Sequence, residues 1–173
     1  MKKLFCFLTG LLFWGSLFAQ EKFPVPERTC EQKHSMVMFQ SWSMINASIN
    51  FAKSQGVSPY EYGKFVGDLF APSWNPEGGF DAVVTTMLNA WESFKTDADG
   101  DIVMNEMEDG SVSVDYPRNA LEKYISGENS YTSMDEIVEY FQGVLKPIAD
   151  YMGCTVNLKL TETSMVFTVK KTE

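Results

Sequence analysis

The chain has 173 residues and a formal net charge of −9 at pH 7. Hydrophobic residues make up 45% of it and charged residues 21%, a composition typical of globular proteins and too apolar for a disordered chain. The acidic balance argues against proteins that hold nucleic acids or anionic membranes through basic surface. The length predicts one domain of ordinary size.

The first twenty residues have the pattern of an export signal. Lys2 and Lys3 precede an apolar segment, 4–18, and the sequence 18–20 provides a cleavage site. The alternative is an uncleaved anchor, although the apolar segment is shorter than the roughly 20 residues that a spanning helix requires. The pattern predicts a periplasmic or secreted protein with no integral membrane segment after the signal is removed.

After the signal, residues 21–30 predict a short leader, and residues 31–173 predict a single domain. A helix is predicted from Cys30, because apolar residues then follow one helical stripe. That stripe contains Met38, Trp42, Ile45, Ile49 and Ala52. A second face contains Phe39, Met44 and Phe51. Two apolar faces predict a central helix with contacts on more than one side.

A second helix is predicted to begin at a capping box, in which Ser58 is the N-cap and Glu61 the third helical residue. Pro72 is predicted to stop it. Its predicted buried face contains Tyr62, Phe65, Val66, Leu69 and Phe70.

A loop at residues 71–79 precedes a third helix, whose apolar stripe contains Val84, Met87, Leu88 and Trp91. A hairpin is predicted around the Asp-Gly pair at 109–110, followed by a short helix at 117–125. A second capping box, at 133–136, opens a helix in which Pro147 predicts a kink or a join. The strands at 155–160 and 165–171 predict a terminal hairpin.

This order predicts an α+β fold, with a helical layer packed on a four-stranded antiparallel sheet made of two hairpins separated by helices. The order, and the ending at 151–160 followed by the strand at 166–170, resemble the superfamily of heme-nitric-oxide-binding, 4-vinyl-reductase-like and Golgi vesicle-tethering domains. The resemblance covers residues 31–171 and implies an apolar ligand, heme or an acyl chain, between helices and sheet. The heme branch takes its axial histidine from a helix just before the sheet, whereas the only histidine here is His34.

Aromatic residues are dense between 39 and 94, and four of them are predicted to contact a ligand: Trp42, Trp74, Phe80 and Trp91. Trp74 and Phe80 lie in a predicted loop, where they would line a pocket mouth or an interaction patch. The alternative is a loop that folds back and buries both rings.

The segment 97–108 begins like a calcium loop, since Asp97, Asp99, Asp101 and Glu108 occupy positions 1, 3, 5 and 12 of an EF-hand. Ile102 stands where the loop requires glycine, and alternating valines follow where a second helix is required. The segment therefore predicts a solvated acidic turn, with weak surface Ca²⁺ binding as the alternative.

Cys30, His34 and Met38 are spaced four residues apart, so on one helix they would offer ligands for a soft metal such as Cu(I). The alternative is that Met38 belongs to the core. An oxidising compartment would also let Cys30 pair with Cys154 in a disulfide, and two free buried thiols are the alternative.

No nucleophile–base pair or phosphate-binding glycine pattern is recognisable in the sequence. We therefore predict an exported, non-catalytic protein that binds a small, largely apolar ligand. One alternative is a protein–protein interaction module, or a homodimer, that uses the 74–80 loop and acidic surface. Another is a small hydrolase with unidentified catalytic residues.

Overall fold

The computed structural model describes residues 27–96, 99–125 and 132–172. The chain divides into two compact units, residues 1–36 and residues 37–173. The signal predicted at residues 1–20 lies outside the described residues, as does most of the leader at 21–30, so both stay predictions.

The described part contains five α helices and four strands. The helices are α1 (Cys30–Ser54), α2 (Pro59–Phe70), α3 (Gly79–Phe94), α4 (Arg118–Ile125) and α5 (Met134–Tyr151). The strands are β1 (Val103–Glu106), β2 (Val112–Pro117), β3 (Cys154–Leu160) and β4 (Ser164–Lys171). The predicted order is confirmed, and the fold is α+β. None of the described helices has both the length and the apolar character needed to cross a membrane.

Both predicted capping boxes are present. The hydroxyl of Ser58 accepts from the backbone N–H of Glu61, whose carboxylate in turn accepts from the N–H of Ser58. Ser133 and Glu136 repeat this exchange at the start of α5. The hydrogen bonds from Ser58 lower the pKa of Glu61. Each box satisfies two backbone donors that a helix start leaves unpaired.

A third box opens α1 and was not predicted. The N–H of Gln32 donates to the Thr29 hydroxyl, and the N–H of Thr29 donates to the Gln32 side-chain oxygen, each at 3.1 Å. The Thr-x-x-Gln spacing in the sequence was the signal for it.

Helix α2 packs on α5 through its glycines. Gly63 and Gly67, one turn apart, are both buried. A Cβ atom on Gly63 would lie 2.1 Å from the carbonyl oxygen of Tyr140, and one on Gly67 would lie 2.2 Å from that of Val144. Because any larger residue would overlap this backbone, only glycine permits the two helices to approach so closely.

The predicted buried face of α2 is therefore wrong. Phe65, Leu69 and Phe70 are exposed, with Leu69 keeping 66% of its surface, and Tyr62 and Val66 are only half-buried. Burying the glycine side brings two backbones together, which leaves the large side chains of the opposite side in solvent.

Helix α5 contributes its own glycine to this contact. A Cβ on Gly143 would lie 2.2 Å from the carbonyl oxygen of Tyr60. One turn later, α5 continues through Pro147 as a single helix, so the predicted join is absent. Pro147 cannot donate to the Gly143 carbonyl, but glycine at 143 leaves room around that backbone.

The two hairpins join into one sheet of order β1-β2-β4-β3, antiparallel throughout. Val114, Phe167 and Leu158 lie side by side across β2, β4 and β3, and all three are buried. Ser113 pairs with Thr168 on the opposite face. Alternation along β2, β3 and β4 thus gives this part of the sheet one apolar face, covered by α3, α4 and α5, and one polar face.

Candidate functional site

Trp42 and Trp91 lie in one aromatic cluster between the helices and the sheet. Both are almost completely buried, at 1% exposure. The ring centroid of Trp91 lies 5.1 Å from those of Tyr116 on β2 and Phe141 on α5. Trp42 joins the cluster through Phe141, at 5.9 Å. These two predicted ligand residues therefore pack against other rings in the core.

Several polar atoms in and beside this cluster are buried with no hydrogen-bond partner among the described residues. They are Trp42 Nε1, Asn46 Oδ1, Trp91 Nε1 and Tyr116 Oη. Burial, with the nearby charge of Asp99, raises the pKa of Tyr116, so its hydroxyl remains a donor. Leaving a buried polar group without a hydrogen bond costs roughly 1–3 kcal/mol of stability. A polar group that formed hydrogen bonds with these atoms would recover part of that cost.

Trp74 and Phe80 are both half-buried against the core. Phe80 was predicted to lie in a loop but lies in the first turn of α3. Phe80 lines an open surface pocket of about 320 Å³ together with Asp81, Met152 and Lys171. The Lys171 ammonium lies 5.3 Å from the Phe80 ring centroid. Trp74 is not part of that lining, so the structure does not bring the two rings into one pocket mouth.

Strand β1 separates Asp101 from Glu108, two of the candidate calcium residues. Asp97 lies outside the described residues, Asp101 is exposed before β1, and Glu108 lies in the turn after it. The Asp99 carboxylate pairs with Lys123 and accepts from the N–H and hydroxyl of Thr96. Burial raises the pKa of Asp99, but these hydrogen bonds outweigh burial and lower it. No group of three or more acidic, His or Cys side chains is placed to hold a metal in the described ranges.

The soft-metal candidates differ in environment. Met38 is buried in the core, as its place in the apolar stripe predicts, while Cys30 and His34 are exposed. Cys30 is exposed, and the disulfide between Cys30 and Cys154 that the sequence left open stays a prediction. Cys154 is buried, and burial raises the pKa of its thiol.

Strand β1 forms an open edge of the sheet. All four of its residues are exposed, and no described strand pairs with its outer side. The N–H of Met107 donates to the Ser111 carbonyl at 2.9 Å. Since hydrogen-bonded and non-hydrogen-bonded pairs alternate in an antiparallel ladder, Met104 and Glu106 direct their N–H and C=O groups away from β2.

This edge is acidic. Residues 97–109 contain only negative charges. Asp109 is engaged, since Ser111 and Lys170 hold its carboxylate and keep its pKa low, with the Lys170 ammonium 3.0 Å away. Asp101, Glu106 and Glu108 are exposed around β1. The open edge therefore combines unpaired backbone groups with a negative potential.

At the opposite edge, β3, one side chain of α5 pairs with two of the outward backbone groups. The Gln142 amide donates to the Val156 carbonyl at 3.0 Å and accepts from the Leu158 N–H at 2.6 Å. A single carboxamide thus replaces the next strand at these two groups. The contrast between the edges makes β1 the place where another strand can pair.

We expect Gln142→Glu to lower the free energy of unfolding by about 1–3 kcal/mol. The carboxylate keeps an acceptor for Leu158 but places a second acceptor against the Val156 carbonyl. Urea denaturation measures the change. Glu139→Gln, an exposed substitution on the same helix, should stay within about 0.5 kcal/mol of the parent chain. Equal losses in the two variants would contradict the assigned role of Gln142.

The second apolar face of α1 is also uncovered. Met44 and Phe51 keep 71% and 68% of their surface exposed, and Phe39 is similarly exposed. The prediction that α1 contacts neighbours on more than one side is therefore wrong. Its contacts lie on the Trp42 side, where Lys53 also pairs with Glu136 at the start of α5.

Across the part of the chain that the structure describes, these surfaces define an α+β domain with an open sheet edge at β1 and exposed apolar faces on α1 and α2. In comparisons with known proteins, no family model, curated protein or solved structure matched the chain. The resemblance of the sequence to the heme-nitric-oxide-binding and vesicle-tethering superfamily stays a prediction.

Proposed function

We propose that this chain is a non-catalytic interaction module that binds an extended, basic segment of another protein along β1. The observation that carries the proposal is the open edge, where Met104 and Glu106 direct backbone groups away from β2 and no described strand pairs with them. An extended segment that adds to such an edge gains main-chain hydrogen bonds without requiring a particular sequence.

The side chains of the edge define the chemistry of the partner. Val103, Met104 and Met107 each expose about half of their surface, and because Val103 and Met104 are consecutive, they provide apolar contacts on both faces of an added strand. Asp101, Glu106 and Glu108 favour Lys or Arg in the same added strand. The same charges repel a second β1, so this edge suits a basic partner better than another copy of itself.

The export signal predicted at residues 1–20 would place this binding in the periplasm or outside the cell. The proposal keeps the acidic docking surface that the sequence suggested. It replaces the 74–80 loop by the sheet edge, because Trp74 and Phe80 are half-buried while all four residues of β1 are exposed.

Fluorescence anisotropy with a labelled peptide of alternating Lys and Val tests the proposal. We expect saturable binding that weakens as salt is added, and no binding of the matched Glu–Val peptide. Met104→Pro removes a backbone N–H that faces the open edge and leaves the β2 ladder intact, as proline permits on an edge strand. We expect it to weaken binding at least tenfold.

Charge variants distinguish peptide binding at β1 from attraction of the peptide to the acidic chain in general. Glu106→Lys should strongly weaken binding of the Lys–Val peptide. Glu162→Lys, in the exposed β3–β4 turn, should leave the affinity for this peptide nearly unchanged. Circular dichroism confirms that each variant is folded. Equal binding of both peptides, or full binding by Met104→Pro, would overturn the proposal.

A second candidate is the binding of a small, largely apolar ligand at the aromatic cluster between helices and sheet. The unpaired polar atoms of Trp42, Trp91 and Tyr116 favour it, because a polar group on the ligand would satisfy them. Trp42 and Trp91 were predicted as ligand residues. The superfamily of heme-nitric-oxide-binding and vesicle-tethering domains, which the sequence resembles, binds its ligands between helices and sheet.

Native mass spectrometry of the protein purified from its own source tests this candidate, and added mass is the expected result. Tyr116→Phe should lose that mass. In the ligand-free protein the same variant should be as stable as the parent or slightly more stable, because it removes a buried hydroxyl without a partner. A clean chain mass from the native source contradicts the ligand.

A further inference from the structure

Helix α1 carries a regular stripe on its uncovered side, which we call the outer stripe. Its residues recur at intervals of three and four, as in the a and d positions of a coiled coil. They are Val37, Gln40, Met44, Ala47 and Phe51. Val37, Met44 and Phe51 are seven residues apart, so they form a nearly straight line about 21 Å long.

The outer stripe lies on the side of α1 that faces away from the core. Trp42 and Met44 are separated by about 200° around a helix with 3.6 residues per turn. Trp42 is buried at 1% exposure, whereas Val37, Met44 and Phe51 each keep more than half of their surface in solvent. An exposed apolar line of this kind is typical of a surface that is covered by another helix.

The distribution of charged residues along α1 indicates which partner covers the outer stripe. Residues 35–52 contain no Asp, Glu, Lys or Arg, although the whole chain carries a net charge of −9. A basic partner would find no complementary charge on this stripe. A second copy of an acidic chain, in contrast, can approach closely only where the facing surfaces are uncharged, since like charges across an interface repel.

The spacing also suits a two-fold axis. Met44 is the midpoint of the outer stripe, with Val37 seven residues before it and Phe51 seven residues after it. In an antiparallel pair of α1 helices, Met44 meets its own copy, and each small Val37 faces a large Phe51. Such a contact is isologous, with the same patch used by both subunits.

We infer that the protein forms a symmetric dimer in which the outer stripe of α1 packs antiparallel against the outer stripe of a second copy. The contact involves one helix from each subunit, which is small for a protein interface, so dissociation in the micromolar range is expected. The inference concerns α1 alone and does not depend on peptide binding at β1.

Sedimentation velocity across micromolar concentrations tests the dimer. The protein should pass from one chain mass, 19.6 kDa for the whole sequence, to twice that mass. Met44→Asp places two carboxylates against each other at the axis and should raise the dissociation constant at least tenfold. Leu69→Asp, equally exposed but on α2, should leave it unchanged.

Cysteine pairing tests the orientation, in a Cys30→Ser background that removes the exposed thiol. Under mild oxidation, chains with Val37→Cys should form a disulfide with chains carrying Phe51→Cys and not among themselves. A protein that stays one chain in mass at every concentration, a Leu69→Asp effect as large as that of Met44→Asp, or self-pairing of Val37→Cys would each overturn the inference. Peptide binding at β1 is measured separately, so neither result decides the other.

Discussion

Gly63→Ala should destabilise the protein by at least about 3 kcal/mol, near the upper end of overpacking effects. The added Cβ would lie 2.1 Å from the Tyr140 carbonyl oxygen, and this neighbour is helix backbone that cannot rotate away. Alanine favours a helix over glycine by only about 1 kcal/mol, which does not offset the loss of the close α2–α5 contact. The midpoint of urea denaturation measures the effect.

Asp68→Ala is the matched control on α2. Asp68 is exposed and forms an i,i+4 ion pair with Lys64 at 2.8 Å, an interaction worth about 0.3–0.5 kcal/mol on a helix surface. Its unfolding midpoint should therefore stay close to that of the parent chain. If Gly63→Ala and Asp68→Ala unfolded at the same denaturant concentration, the glycine contact would not be what holds α2 on α5.

Trp42→Ala should lower the free energy of unfolding by about 3–5 kcal/mol, as expected for a large aromatic residue removed from a core. The Trp42 ring lies 5.6 Å from Phe94 on α3 and stacks on Tyr124 of α4 at 5.8 Å. It also meets Phe141 on α5 edge-on. Removing it leaves a cavity bounded by three helices and detaches the main contact of α1.

Met44→Ala, two residues along the same helix, is the control. Met44 is 71% exposed, so its loss should change the unfolding free energy by no more than about 0.5 kcal/mol at concentrations where the chain is monomeric. Thermal unfolding followed by near-ultraviolet circular dichroism records both variants. A Met44→Ala loss comparable to that of Trp42→Ala would show that the two faces of α1 are not distinguished as the structure indicates.

Local features were predictable because their interactions span few residues. The boxes at Ser58–Glu61 and Ser133–Glu136 each require only four residues of chain. The Asp-Gly turn likewise follows from Gly110, whose φ of 75° is readily adopted only by a residue without a side chain. Strand alternation also predicted the terminal hairpin that β3 and β4 form.

The two apolar faces of α1 and α2 show where periodicity stops being informative. The periodicity of apolar residues identifies Phe65 and Leu69 on α2, and Met44 and Phe51 on α1, as members of apolar faces. It does not indicate whether a neighbouring element covers those faces. For α2 the spacing of Gly63 and Gly67 was a signal in the sequence, because two glycines one turn apart permit close helix packing. For α1 no comparable signal separates the covered face from the open one.

The proposed binding edge could not be identified from hydrophobic pattern, because its identity depends on strand order. The sequence predicted the hairpin that contains β1 but not that β2 and β4 would pair at the centre. Nor does the sequence indicate that Gln142 of α5 binds backbone groups of β3 at the opposite edge of the sheet. Both features depend on contacts between residues far apart in the chain. Such contacts are decided by which arrangement of the elements buries most apolar surface.

By itself, the sequence determined the order of helices and strands, their starts and turns, and the acidic character of the chain, since each depends on neighbouring residues or on composition. Only the tertiary structure decided which helix faces are covered, how closely α2 approaches α5 at Gly63, and which sheet edge remains open. These depend on shape complementarity between elements far apart in the chain, where backbone contact at glycine can outweigh the burial of larger side chains.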